Sequence, residues 1–352
     1  MNLHYEWTLK DAVFTKDKGK VFSCFACGGG STMGYKLAGF DVIGMNEIDP
    51  RMAECYIENH NPKYAYIEPI QQFKNRDDLP DELYNLDILD GSPPCSSFSM
   101  AGNREKDWGK EKKFREGQAE QVLDTLFFDF IELAEKLQPK VVIAENVKGL
   151  LQGEAKAYVH KILRAFDKAG YYVSYKLLDA SKMGVPQRRE RVFFYAVRKD
   201  LYKGQFDDMF QTEPSLRLEF DEKEISYKQI EDKEHCGLWE MSETVKKLYR
   251  KTNKGDNFST AHKTGSFFGY KKLKYTDIPS TLLCQDKNRG GDFHPDIERP
   301  LTFKEVCNIS SFPVDYKVKI PLHIYRFAGM SVPPLMTARI ANEIYNQWLK
   351  ET

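Results

Sequence analysis

The residues best suited to chemistry gather in a few short segments. Gly91-Ser-Pro93-Pro94-Cys95-Ser-Ser-Phe-Ser99 follows an apolar run that ends at Asp90. Two prolines fix the backbone ahead of the cysteine, so its thiol can be aimed with little loss of entropy. A short helix opening after it would favour the thiolate, the nucleophilic form. A lone cysteine is ordinarily a small buried hydrophobe, but a Pro-Pro-Cys-Ser-Ser turn is polar and loop-like, a poor place for core filling. Ala144-Glu145-Asn146-Val147 sets a carboxylate straight after an apolar strand, where it suits acid–base work or a helix cap. Gly184-Val-Pro-Gln187-Arg188-Arg189-Glu190-Arg191 leads into apolar Val192–Val197. Arginine presents a fixed donor fork to a carbonyl, carboxylate or phosphate, and its plainer use is a solvated strand entry.

Two further segments read as a nucleoside-cofactor site. Phe25-Ala-Cys-Gly28-Gly29-Gly30-Ser-Thr-Met-Gly34 lies between a strand and a helix. Glycines let backbone approach a ligand, and the helix start favours negative charge. The spacing is not the dinucleotide G-x-G-x-x-G, and NAD, FAD or S-adenosyl-L-methionine all remain open. Asn46-Glu47-Ile48-Asp49 follows the next strand, about twenty residues on; an acid there suits ribose hydroxyls and an apolar neighbour suits adenine.

The elements that must position these residues alternate regularly. Strands are expected at Lys20–Phe25, Asp41–Met45, Leu86–Asp90, Lys140–Ala144, Tyr171–Leu178 and Arg191–Arg198. Helices are expected over Ser31–Ala38, Pro50–Asn59, Gly117–Leu137 and Ala155–Ala169. That rhythm specifies an α/β fold, a doubly wound, mostly parallel, Rossmann-like sheet, with ligands at the strands' carboxyl ends. Residues 1–200 form this domain, 201–320 a smaller irregular one, and 321–352 a C-terminal helix returning to the first. Formal net charge is zero, yet residues 246–274 and 182–199 are strongly basic and 205–224 acidic, a segregation that favours a polyanionic partner. No run approaches the ~20 apolar residues of a membrane helix, no signal-peptide run opens the chain, and cysteine pairs at metal-ligand spacing are absent apart from Cys24-x-x-Cys27. A cytoplasmic protein with reduced thiols and no metal is expected.

Taken in order, these motifs resemble the DNA (cytosine-5)-methyltransferase family, of the bacterial and phage restriction–modification type. The glycine turn, Asn46-Glu47, Pro94-Cys95, Glu145-Asn146-Val147 and Gln187-x-Arg189-x-Arg191 are followed by Arg299-Pro-Leu-Thr302-Phe-Lys-Glu305, Phe312-Pro313 and Gly329-Met-Ser331-Val332-Pro333-Pro334. The resemblance implies a base flipped from duplex DNA. It implies Cys95 as the nucleophile at carbon 6 of cytosine, Glu145 at N3 and the exocyclic amine, and Arg191 with Arg189 at the ring carbonyl. It implies S-adenosylmethionine held by Phe25, Gly28, Gly30, Glu47, Ile48, Leu126, Ser331 and Val332. Ser99 falls on the loop that closes over the flipped base in relatives. Thr281, Leu282 and Arg289 fall in the target-recognition region, the remaining DNA contacts.

The chain departs from the family's pattern at Ser23, Cys27, Pro69 and Met330, all on the cofactor side, while Cys95, Glu145 and Arg191 are intact. Alternatives are a tRNA cytosine-5 methyltransferase, whose Cys-Phe-Thr tripeptide is missing here, and a catalytically inactive DNA-binding homologue. An NAD-dependent oxidoreductase is disfavoured by the glycine spacing and Pro94-Cys95. Family habit further implies a monomer acting at one short site, alongside a cognate restriction endonuclease.

Overall fold

The computed structural model describes residues 3–94, 111–112, 121–122, 125–153, 155–202, 214, 216–284 and 291–350; Cys95, Ser99 and Arg289 lie outside them. The chain divides into two compact units. One comprises Phe14–Leu178, Glu190–Glu219 and Ala338–Thr352, the other Met1–Val13, Asp179–Arg189 and Phe220–Thr337.

The first unit is the sheet. Its elements run β1 (Lys20–Cys24), α1 (Gly30–Ala38), β2 (Asp41–Asn46), α2 (Pro50–His60), β3 (Tyr64–Tyr66), α3 (Ile70–Lys74) and β4 (Ile88–Gly91). A two-residue pair follows, β5 (Glu111–Lys112) and β6 (Gln121–Val122), then α4 (Leu126–Leu137), β7 (Val141–Val147), α5 (Ala155–Lys168), β8 (Tyr171–Asp179) and β9 (Glu190–Arg198). Seven strands lie in the order β3-β2-β1-β4-β7-β9-β8. β1 is parallel to β2 and β4, and β4 to β7, whereas β7 and β9 are antiparallel. The central strands are apolar along nearly their whole length because helices cover both faces; Phe22, Leu89, Phe130, Val142 and Phe194 belong to one buried cluster. Local signals set the helix starts. Asp49 caps α2 by accepting from the Arg51 N–H at 3.0 Å, with Pro50 in its first turn.

Two expectations shift. The strand expected to stop at Ala144 continues to Val147, because Glu145, Asn146 and Val147 pair with Phe193, Val192 and Arg191 of β9. The long helix expected over Gly117–Leu137 begins at Leu126, and Gln121–Val122 is extended, paired with Glu111–Lys112. Amphipathic spacing alone does not reveal a strand partner further up the chain.

The second unit holds α6 (Tyr227–Ile230), α7 (Glu243–Lys251), β10 (Tyr270–Lys272), β11 (Gly291–Phe293), α8 (Phe303–Ile309) and α9 (Ile324–Met330); α10 (Pro334–Ile344) begins in it and ends in the sheet unit. A small aromatic core of Tyr249, Phe258, Tyr270 and Phe293 joins α7 to the β10–β11 pair. At the start of α8, Thr302 and Glu305 form a reciprocal cap. The fully buried Glu305 carboxylate also accepts from Arg299 at 2.8 and 2.9 Å and from the Tyr227 hydroxyl at 2.6 Å. Among the described helices none is long and apolar enough to cross a membrane.

Two substitutions test this packing. A Cβ on Gly91 would lie 2.5 Å from Cε2 of the buried Phe130 ring, so Gly91→Ala should destabilise by about 1–3 kcal/mol in urea unfolding, with part of the loss recovered by adding Phe130→Leu. Glu305→Gln leaves the Arg299 guanidinium buried without its counter-charge and should cost about 3–5 kcal/mol by the same measurement.

Candidate active site

The glycine turn is shaped by its backbone. After β1, Phe25 and Cys27 take left-handed conformations (φ 52° and 48°) and Gly29 does so at φ 77°, delivering Gly30 as the first residue of α1. A Cβ on Gly29 would lie 2.2 Å from Nε2 of His60, the last residue of α2, so the turn settles onto an imidazole that only glycine admits. Burial, followed by the nearby Lys36 ammonium, pushes the His60 pKa down to about 3; the ring under the turn is neutral. Glu47, just past β2, accepts from the Cys27 N–H and the Asp49 N–H, both at 2.8 Å. Burial outweighs those hydrogen bonds and raises its carboxyl above the usual range. The structure thus gathers Phe25, Gly28, Gly30 and Glu47, with partly exposed Ile48 beside them. Leu126 is fully buried at the start of α4, within the apolar cluster.

A carboxylate, a tight glycine floor and a half-buried aromatic ring, Phe25, suit a nucleoside bearing ribose hydroxyls and positive charge. They suit the anionic pyrophosphate of a dinucleotide poorly. The residues present therefore fit S-adenosylmethionine.

The reactive side chains sit on neighbouring strands. β4 ends at Gly91, and the Asn146 side-chain amide on β7 donates to the Pro93 carbonyl at 3.1 Å, bracing the segment that leads to Cys95. Glu145, one residue earlier on β7, meets Arg191 of β9, with Nε to carboxylate oxygen 2.8 Å. Their side chains are 13% and 15% exposed, buried enough for strong electrostatics yet open to a ligand.

The other expected site residues fall in the second unit. Arg189 is buried, and its Nη2 donates to the carbonyls of Gly329 and Ser331 at 3.1 and 3.0 Å. Arg189 and Arg191 thus do different work: one ties its own unit together, the other reaches Glu145. Ser331 and Val332, between α9 and α10, are both buried. Gln187 is fully buried, donating to the Ile309 carbonyl and accepting the Leu282 N–H. Leu282 is itself buried, and the Thr281 hydroxyl donates to the Arg188 carbonyl at 2.6 Å, so both are committed to the unit's own framework.

Sequence reasoning missed His60 and Asp90. Asp90 faces Ser23 across the β1–β4 register, and its carboxylate accepts from the hydroxyls of Ser23, Ser31 and Tyr35. A polar residue closing an apolar run was the one available signal; the hydroxyl partners come from other elements.

The chain is 29% identical to the Type II methyltransferase M.FnuDI of Fusobacterium nucleatum, over 92% of this chain and 94% of that protein. It is 28% identical to M.NgoPII of Neisseria gonorrhoeae, over 92% and 95%. In fold it is similar to the S. pombe Dnmt2 methyltransferase, at TM-score 0.62 and 17% identity over 93% and 98% of the two chains. It is also similar to an E. coli prophage protein assigned as a DNA modification methyltransferase, at TM-score 0.68 and 20% identity over 95% and 99%. The model of one family matches residues 19–346, nearly the whole chain, and on that ground the chain belongs to the C-5 cytosine-specific DNA methylases.

Proposed function

We propose that this chain methylates carbon 5 of cytosine in double-stranded DNA, at one short site, using S-adenosylmethionine. The observation that carries the reading is the Glu145–Arg191 pair beside the braced Pro93–Pro94 segment. Cytosine presents along one edge a carbonyl oxygen O2, an acceptor N3 and a donor amine. An arginine and a carboxylate side by side match that order: Arg191 to O2, Glu145 to the amine and N3. The two groups satisfy each other, and the incoming ring replaces that bond with one to each.

The chemistry follows from the ring. Carbon 5 is a poor nucleophile. The Cys95 thiolate adds to carbon 6, forming a C–S bond and pushing an electron pair through the ring, with negative charge developing at N3 and O2. Glu145 supplies a proton or hydrogen bond at N3, and Arg191 stabilises O2. S-adenosylmethionine, when bound, supplies the methyl that carbon 5 accepts. A base then removes the carbon-5 proton and the C–S bond breaks, returning Cys95 and the aromatic ring. A stacked cytosine is inaccessible to this chemistry, so the base must leave the duplex.

In this reading Ser99 and Arg289 contact DNA as the family pattern implies, Thr281 and Leu282 hold the framework, and further contacts come from the second unit. Its basic run is partly neutralised within the unit: Lys246, Arg250, Lys254 and Lys271 pair with Glu243, Glu298, Asp296 and Asp277. Lys247, Lys251, Lys263 and Lys274 are left to meet phosphates. The names of the bacterial relatives place them among Type II enzymes, which supports a role in restriction–modification beside an endonuclease of the same specificity.

The test is methyl transfer from labelled S-adenosylmethionine to unmethylated mixed-sequence DNA, with bisulfite mapping. Methylated cytosines within one short motif are expected. Cys95→Ser should abolish them, and Glu145→Gln should lower kcat about 10²–10⁴-fold. Label in tRNA but not DNA would replace this reading with a tRNA methyltransferase, and label in neither would indicate an inactive homologue.

A further inference from the structure

Asp90 is a buried carboxylate, 4% exposed, that the chemistry above does not use. One oxygen accepts from Ser23 Oγ at 2.9 Å and Ser31 Oγ at 2.7 Å, the other from the Tyr35 hydroxyl at 3.1 Å. Ser23 lies on β1 and the other two on α1, the elements that the glycine turn joins. Its three donors are therefore neutral hydroxyls, and no cation pairs with it among the described residues. The titratable groups that act with it are Cys24 on β1, Tyr35 on α1, Tyr56 on α2 and Glu145 on β7, none of them a cation. Burying a carboxylate without a counter-charge is costly, and hydroxyl donors offset only part of it. Accordingly burial, moderated by the three hydroxyls, lifts its pKa to about 6.

We propose that Asp90 is the anionic counter-group for the cationic methionine end of the cofactor, a positioning residue that acts from beneath the glycine turn through Ser31 and the turn. This rests on the S-adenosylmethionine dependence proposed above. The methionine arm of S-adenosylmethionine carries an ammonium, a carboxylate and a sulfonium, one net positive charge. After methyl transfer the sulfonium becomes a neutral thioether and the arm has no net charge. A fixed negative charge at this point therefore favours the methyl donor over its product, S-adenosylhomocysteine, and eases product release. Ser23, Ser31 and Tyr35 keep the carboxylate in place.

Calorimetric binding of both ligands to the full chain, without DNA, tests this. Asp90→Asn should weaken S-adenosylmethionine about ten- to a hundred-fold and S-adenosylhomocysteine far less. A merely structural role would weaken both alike. In the wild type, affinity for the methyl donor should fall as pH drops below about 6, where Asp90 takes up a proton in the empty site. That fall should be smaller in Asp90→Asn, since any contribution from buried Glu47 is common to both proteins. The exchange Ser23→Asp/Asp90→Ser, which returns a carboxylate to the same register pair, should restore much of the preference. Equal loss for both ligands, or no loss, overturns the role of Asp90. Wild-type protein that binds neither ligand overturns the cofactor reading beneath it.

Discussion

Parallel pairing of β1 with β2 and β4, and of β4 with β7, is the constraint on which the site depends. It leaves four carboxyl ends along one edge of the sheet. From that edge come the glycine turn after β1, Glu47 after β2, the Pro93–Pro94 segment after β4, and Glu145 at the end of β7. Parallel strands require covering helices, and the helices in turn require buried apolar strands. The polar residues at the strand ends are thus the places where the sheet stops being core and becomes site. β9 enters from the opposite direction, which is why Arg191, at its beginning, meets Glu145 near the end of β7.

The electrostatics of this edge are uneven. Glu145 has an arginine partner, whereas Glu47 and Asp90 hold carboxylates in buried surroundings with only N–H or hydroxyl donors. Both are driven toward the protonated form by burial. His60, buried under the same turn, is driven the other way and stays neutral. Their stability effects oppose each other: between about pH 4 and 6 the raised Asp90 carboxyl favours the folded state on acidification, while His60 disfavours it below its ordinary value. At neutral pH Asp90, whose pKa lies near 6, still carries its charge and His60 is neutral, surroundings that suit a positively charged ligand better than an anionic one.

Arg189 and Arg191 of Gln187-Arg188-Arg189-Glu190-Arg191 illustrate how a motif divides. Two residues apart in a strand, side chains share a face, and similar tasks would follow. But Arg189 precedes β9 and Arg191 lies within it. The first is buried against the carbonyls of Gly329 and Ser331; the second reaches a carboxylate on the next strand. A strand boundary between them, invisible in residue type, separates a structural arginine from one available for chemistry.

Much of this was legible in the sequence because it rests on local physics. Apolar runs of strand length, helical spacing and glycine or proline punctuation gave the α/β order, and the Pro-Pro-Cys, Glu-Asn and arginine segments stood out by residue type and position after or before strands. What the sequence could not supply was lateral order. Nothing in the run Val141–Val147 announces that it lies between β4 and a reversed β9, nor that this lengthens it to include Glu145. Nor does Asp90, read in its own segment, reveal hydroxyls from residues 23, 31 and 35, or Gly29 reveal the ring of His60. These contacts join residues far apart in the chain whose meeting is set by strand register and helix docking. Residue chemistry was therefore determined by the sequence alone, whereas which groups face one another, and which charges are left without a partner, was decided only by the tertiary fold.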